Sequence, residues 1–291
     1  MAVEQVSPHL RRIVPEGADI EELGRGYVAG EGPVWFHERG YLVFSDHRAS
    51  KRYRWQPGHS PELINDATNG ANGMTRDLEG RLIACHNVGR CVSREEADGT
   101  LTILADSYQG QRVYRPNDVV VKSDGSVYFT DSGALTPELD KNFQAVYRIA
   151  PDGQVTKLTD DLLLPNGLAF STDERLLYVI DTQRNHIRVF DVLPDGTLDT
   201  REFRLFFQFP TSTSKLPLST APPAASELRA GAKPGYCDGM KLDVEGTVYT
   251  TGPGGVWIIT AEGEHLGTIS TGAHFHTCLL YTSDAADDLT R

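Results

Sequence analysis

RPNDVVVKSDGSVYFTD, residues 115–131, decides the fold. Two apolar runs, Val119–Val121 and Val127–Phe129, flank a polar turn built on Asp124-Gly125. The first run is opened by Asn117 and the second is closed by Asp131. Short β-branched and aromatic runs on either side of an Asp-Gly turn predict an antiparallel hairpin. The same pattern recurs in both directions along the chain. ERGYLVFSD (38–46), LEGRLIAC (78–85), TDERLLYVID (172–181) and VEGTVYTTG (244–252) each place a polar turn before an apolar strand. Those strands end at or near Ser, Thr, Asp or Cys. Multi-strand repeats of about 40–50 residues are the mark of a β-propeller. Asp131 and Asp181 stand 50 residues apart, whereas Asp181 and Gly252 stand 71 apart, so the later repeat carries an insertion. The Pro-, Ser- and Ala-rich segment 208–235 is where it is expected, as a surface loop.

A second strand precedes each turn, and it opens on an oxygen-bearing side chain. The five openings are Glu31-Gly32-Pro33, Asn72-Gly73-Met74, Asn117-Asp118-Val119, Asn166-Gly167-Leu168 and Asp238-Gly239-Met240. Asn72 to Ile83, Asn117 to Tyr128 and Asp238 to Tyr249 are each 11 residues, and Asn166 to Tyr178 is 12. In a propeller the innermost strands surround a channel, so equivalent positions on them converge near the axis. Two carboxylates and three amides in one small space require a counter-charge, or one acid must hold its proton. A divalent cation supplies that charge, and an all-oxygen donor set suits Ca²⁺, Mg²⁺ or Mn²⁺ better than Zn²⁺, although Zn²⁺ does accept carboxylates. The plainer alternative for any one opening is that N-G and D-G mark tight turns. Five in one register favour a site.

Composition narrows the function. A net charge of −12 over 291 residues and a pI near 5.2 argue against nucleic acid or an anionic membrane as partner. The N-terminal residues lack the apolar core of a signal peptide, and no run reaches the roughly 18 apolar residues of a membrane span. Cys85, Cys91, Cys237 and Cys278 form no C-x-x-C pair and read as reduced, half-buried thiols. The expectation is an acidic cytoplasmic protein whose oligomeric state is open.

The segments EGPVW, RPNDVVVKSDGSVYFTD, PNGLAFS and CDGMKLD resemble the regucalcin/gluconolactonase family of six-bladed β-propellers, which includes senescence marker protein and lactonases. The likeness covers roughly residues 20–278. It implies an all-β, six-bladed lactonase holding one divalent metal ion (Ca, Zn, Mn or Mg) through Glu31, Asn166 and Asp238. Arg115 and Asn117 are implied substrate contacts. In related phosphotriesterase propellers a second Asn also binds the metal, so Asn117 is a ligand or a substrate contact. Asn72 comes from the register alone and is assigned to the pocket. The chemistry expected is hydrolysis of a small sugar lactone. The metal polarises the carbonyl or activates water, Asp238 acts as base, and Arg115 orients hydroxyls or steadies the oxyanion. A surface ion pair is the alternative for Arg115. For the whole chain the alternatives are hydrolysis of another ester or an organophosphate on the same metal, and a non-catalytic propeller that binds calcium or a protein.

Other residues are not promoted. His274 and His276 read as loop histidines, and His47 and His86 lie just past strand ends where substrate contact is open. Ser45 and Ser132 lack the G-x-S-x-G setting of a nucleophile. The sixth repeat looks broken. FHTCLLYTSDAADDLTR has His-Thr-Cys where the family usually has Thr-Asn-Cys, and no apolar strand follows the turn. The expected organisation is one propeller domain over 1–281 with an incomplete last blade, followed by a non-native or disordered tail over 282–291.

Overall fold

The computed structural model describes residues 2–133, 144–210, 233 and 235–270. Within them the chain is an all-β propeller of five blades, each a sheet of consecutive antiparallel strands. Blade 1 is Gly30–Phe36, Tyr41–Asp46, Lys51–Trp55 and Glu62–Asn65. Blade 2 is Ala71–Arg76, Leu82–His86, Cys91–Glu95 and Leu101–Ala105. Blade 3 is Pro116–Val121, Val127–Asp131, Ala145–Ile149 and Val155–Thr159. Blade 4 is Pro165–Phe170, Leu176–Asp181, His186–Asp191 and Leu205–Gln208. Blade 5 is Met240–Leu242, Val248–Gly252, Gly255–Ile259 and His265–Ser270, with Ala2–Gln5 added antiparallel along its outer edge.

The hairpin turns are set locally. The carboxylate of Asp77 accepts from the backbone N–H of Glu79 and Arg81, that of Asp124 from Ser126, and that of Asp243 from Glu245 and Thr247. These are side-chain-closed turns that leave the flanking strands in antiparallel register. The apolar faces then pack blade against blade. Ile83 and Val92 of blade 2 meet Val119 and Phe129 of blade 3. Tyr128 and Val146 of blade 3 meet Leu168 and Val179 of blade 4, and Ile180 and Ile187 of blade 4 meet Met240 and Val248 of blade 5. Each such fully buried aliphatic or aromatic side chain contributes about 1.5–3 kcal/mol. The innermost strands pack in series, first on second through to fourth on fifth.

Several expectations are sharpened here. The expected insertion begins later than residue 208, because Leu205–Gln208 closes blade 4 and Phe209 is buried against Trp257. The thiols of Cys85, Cys91 and Cys237 are free, as expected, but more buried than expected, Cys85 and Cys237 completely so. Burial pushes the Cys85 and Cys237 thiols well above their ordinary range. Five blades are described where six were expected. The sixth repeat, Cys278, His274, His276 and the tail 282–291 lie outside the described residues. No helix among the described residues is long and apolar enough to cross a membrane.

Candidate active site

Glu31, Asn72, Asn117, Asn166 and Asp238 all line one cavity, of about 360 Å³ counted out to its open mouth. Each belongs to the innermost strand of a different blade or stands just before it. A repeated device delivers them there. The acid at the end of the second strand clamps the chain that leads into the first. Asp46 accepts from the N–H of Val28 and Ala29, Asp131 from Tyr114 and Arg115, and Asp181 from Leu163 and Leu164. A β-bulge follows. Pro116 pairs with Asp131 but Val119 pairs with Phe129, so Asn117 and Asp118 together oppose Thr130 alone. The same two-against-one count occurs at Asn72-Gly73 and Asn166-Gly167. Bulges of this kind re-aim side chains.

The glycine after the channel residue has a reason other than turn formation. A Cβ on Gly73 would lie 2.5 Å from the Asn117 carbonyl oxygen, and one on Gly167 would lie 2.6 Å from that of Asp238. One on Gly32, at φ +54°, would lie 2.2 Å from that of Asn72. Neighbouring inner strands therefore touch backbone to backbone, and any side chain there would force them apart. Blade 3 departs from this rule with Asp118. Its carboxylate accepts from the N–H of Val119 and of Leu168 across the blade boundary.

Hydroxyl and amide side chains bolt each blade to the next. Asn87 Nδ2 donates to the Pro116 carbonyl (2.5 Å), Ser132 Oγ to that of Pro165 (2.7 Å), and Thr182 Oγ1 to that of Cys237 (2.8 Å). Each carbonyl belongs to the residue immediately before a channel residue. Thr182 Oγ1 also accepts from Asn166 Nδ2 at 3.0 Å, and Thr130 Oγ1 donates to the Asn166 carbonyl at 2.8 Å. Thr251 Oγ1 accepts from the N–H groups of Asp238 and Gly239.

Charge in the cavity is unbalanced. Burial pushes the Asp238 carboxyl up to about 7; the Asn166 amide opposes that shift, the Asp118 carboxylate adds to it, and Arg115 opposes it. Asp118 is also raised by burial, with Lys241 pulling the other way. Asp118 and Lys241 both line the cavity. Neither stood out in the sequence as a site residue, although each sits one to three positions from a channel residue. Their signal was the break in the Gly pattern at Asn117-Asp118 and a lysine inside an otherwise apolar inner strand.

Among the described residues Arg115 makes no surface ion pair, the alternative expected for it. It is largely buried, its Nε has no hydrogen-bond partner among the described residues, and burial lowers its pKa. His47 Nδ1 lies 4.0 Å from Glu31 Oε1. Burial, aided by Arg48 and Arg115 and opposed by Asp46, holds this imidazole down to about 4, so it is neutral at pH 7 and the pair is not an ion pair. His86 is structural, with its ring nitrogens at 2.7 Å from the Thr68 carbonyl and from Ser93 Oγ. Ser132 is committed to its bolt, and Ser45 Oγ reaches Met74 Sδ.

The donor set fits a hard divalent cation. It is all oxygen, and burial together with the nearby Asp118 carboxylate drives one of its two carboxylates toward its neutral form. Among the described residues no three His, Cys, Asp or Glu side chains are placed to hold a metal ion by themselves, so amide oxygens complete any coordination shell.

A family model described as the SMP-30/gluconolactonase/LRE-like region matches residues 29–290. A gluconolactonase of Zymomonas mobilis is 29% identical, over 92% of this chain and 77% of its own. The solved structure of a gluconolactonase from Xanthomonas campestris is 31% identical and superimposes with a TM-score of 0.69, covering 84% of this chain and 77% of that one. A structure from Agrobacterium tumefaciens described as the calcium-binding protein regucalcin shares the fold, with a TM-score of 0.65 at 19% identity, covering 88% of this chain and 79% of that one.

Proposed function

The chain belongs to the SMP-30/gluconolactonase/LRE-like family and is a lactone-hydrolysing enzyme; from that premise we propose that it opens sugar lactones in the central channel with the help of one divalent metal ion. The observation that carries this reading is the convergence of Glu31, Asn72, Asn117, Asn166 and Asp238 on one buried cavity. Glu31, Asn166 and Asp238, with Asn117, would hold the cation, and Ca²⁺, Mn²⁺, Mg²⁺ and Zn²⁺ are the candidates. When bound, it would act as a Lewis acid on the lactone carbonyl.

The chain's own groups supply the rest. Asp238 takes the proton of the attacking water from its place on the cavity wall. The Arg115 guanidinium donates to ring hydroxyls or to the oxygen that gains charge as the ester opens. Asn117 and Asn72 contact the substrate from the walls. Four of the five residues are buried and Glu31 is half-buried, so these interactions act in a lowered dielectric and are strengthened.

We propose that the ring has six blades, the last incomplete, of which five lie within the described residues. The support is that the inner strands of blades 1 to 5 pack in series, while the fifth and first lack comparable packing among the described residues. The single domain is taken as 1–281, with 282–291 outside it because SDAADDLTR offers no apolar run. A cytoplasmic location is supported by three buried, reduced thiols. The test is a pH-stat assay on a panel of sugar lactones, aliphatic lactones and an organophosphate, with chelated and re-metallated protein. Metal-restored turnover of sugar lactones is expected. Turnover of the organophosphate alone would overturn the substrate class, and full turnover in protein shown to be metal-free would overturn the metal.

A further inference from the structure

His47 occupies a position whose counterparts in three other blades have a fixed structural task. The residue after the second strand's last position is His47 in blade 1, Asn87 in blade 2, Ser132 in blade 3 and Thr182 in blade 4. Their backbone N–H groups make equivalent bonds, to the carbonyls of Ala29, Gly70, Arg115 and Leu164. The side chains of Asn87, Ser132 and Thr182 then bolt the following blade by donating to the carbonyl just before its channel residue. The matching carbonyl for His47 is that of Ala71. The imidazole makes no such bond, and its Nδ1 is buried with no hydrogen-bond partner among the described residues. It lies instead 4.0 Å from Glu31 Oε1, a channel residue.

A second orphan sits close by. Arg115 Nε is also buried and unpartnered among the described residues, and Arg115 is near enough to act on both His47 and Asp238. Both residues stand at the end of the blades where the channel residues begin, His47 beside the Gly30–Asp46 pair and Arg115 beside the Pro116–Asp131 pair. A buried polar atom left without a partner is costly. Two of them, one 4.0 Å from Glu31 and the other near enough to act on Asp238, are best satisfied by a ligand that both donates and accepts. A ring hydroxyl does both.

Resting on the lactonase reading above, we infer that His47 is a specificity-determining residue that, together with Arg115, hydrogen-bonds a ring hydroxyl of the lactone at the channel mouth. The side chain freed from the inter-blade bolt serves recognition. A lactone without hydroxyl groups gains nothing from it.

The test compares glucono-1,5-lactone with δ-valerolactone, which has the same ring without hydroxyls, in wild type, His47→Leu and His47→Asn. A hydrogen bond of ordinary strength corresponds to a change of up to about tenfold. His47→Leu is therefore expected to lower kcat/KM for gluconolactone about tenfold, mainly through KM, and to leave δ-valerolactone within twofold. His47→Asn, which can still donate and accept, should recover part of the loss. The ratio of the two substrates is measured in one sample, so a partly folded variant does not blur it. An equal fall for both substrates, especially with weakened Mn²⁺ binding by calorimetry, would mean that His47 only supports Glu31, and would overturn the inference while leaving the lactonase reading intact. An unchanged ratio in His47→Leu overturns it as well. No wild-type turnover of either lactone would overturn the functional reading and this inference with it.

Discussion

Thr182→Val tests whether the inter-blade bolts position the site. The change keeps the shape of a fully buried side chain and removes only its hydroxyl. That hydroxyl donates to the Cys237 carbonyl at 2.8 Å and accepts from Asn166 Nδ2 at 3.0 Å. Two polar groups would lose their partner in a place closed to water. Each such loss costs about 1–3 kcal/mol, and some relaxation is expected, so the total is about 2–4 kcal/mol. For a domain of this size that corresponds to a fall in Tm of roughly 3–7 °C. The functional effect has the same origin. The Asn166 side-chain amide loses its bond to Thr182, and Asp238 sits on the segment whose carbonyl has come loose. A drop in kcat/KM of about tenfold or more follows, since small misplacements of reacting groups are costly. Differential scanning calorimetry and the pH-stat assay measure the two effects, with Thr182→Ser as the control that keeps the hydroxyl. Thr182→Val with Tm and kcat/KM both at wild-type values would refute the argument that this bolt sets the geometry.

Gly73→Ala would set a Cβ 2.4 Å from Asp118 Oδ1 and 2.5 Å from the Asn117 carbonyl oxygen; thermal unfolding should show a loss of at least about 1–3 kcal/mol, and lactonase activity should fall as blades 2 and 3 separate. His86 gives a pH signature. Burial lowers its folded pKa below the usual 6.5 despite its bond to the Thr68 carbonyl, so the unfolded chain takes up a proton that the folded chain refuses. Its contribution is complete above about pH 6.5 and is lost as pH falls through the lowered folded value. Wild type should therefore lose stability relative to His86→Asn between pH 7 and pH 5, and a pH-independent difference in Tm between the two would contradict this.

The repeat and its register were legible because they follow from local chemistry. Hairpin turns closed by Asp124 or Asp243, and apolar runs of period two, need only neighbours in sequence to be recognised. The convergence of Glu31, Asn72, Asn117, Asn166 and Asp238 on one cavity also follows once the repeats are wrapped around an axis. What escaped were features that depend on the next blade. The pattern N-G reads as a turn, whereas Gly73 and Gly167 are small because a neighbouring backbone passes within contact distance. Asn87, Ser132 and Thr182 look like loop residues until the carbonyl each one holds, 29 to 55 positions away, is seen. The pairing of Ala2–Gln5 with His265–Ser270 joins the two ends of the described chain and has no local signal at all. His47 becomes informative only against these bolts, since its departure from the pattern is visible only once the pattern is known.

Asp238 is buried in the cavity, raised to about 7, and set by resemblance among the metal-holding residues. The most direct measurement is kcat/KM of Asp238→Asn on gluconolactone across a titration of divalent metal. Asparagine keeps the size and one carbonyl oxygen, so the fold should persist with a near-wild-type Tm. Loss of a general base costs about 10²–10⁴-fold, so a fall of at least about a hundredfold is predicted, only partly restored by excess metal. Activity equal to wild type without added metal would contradict the account and remove Asp238 from the site.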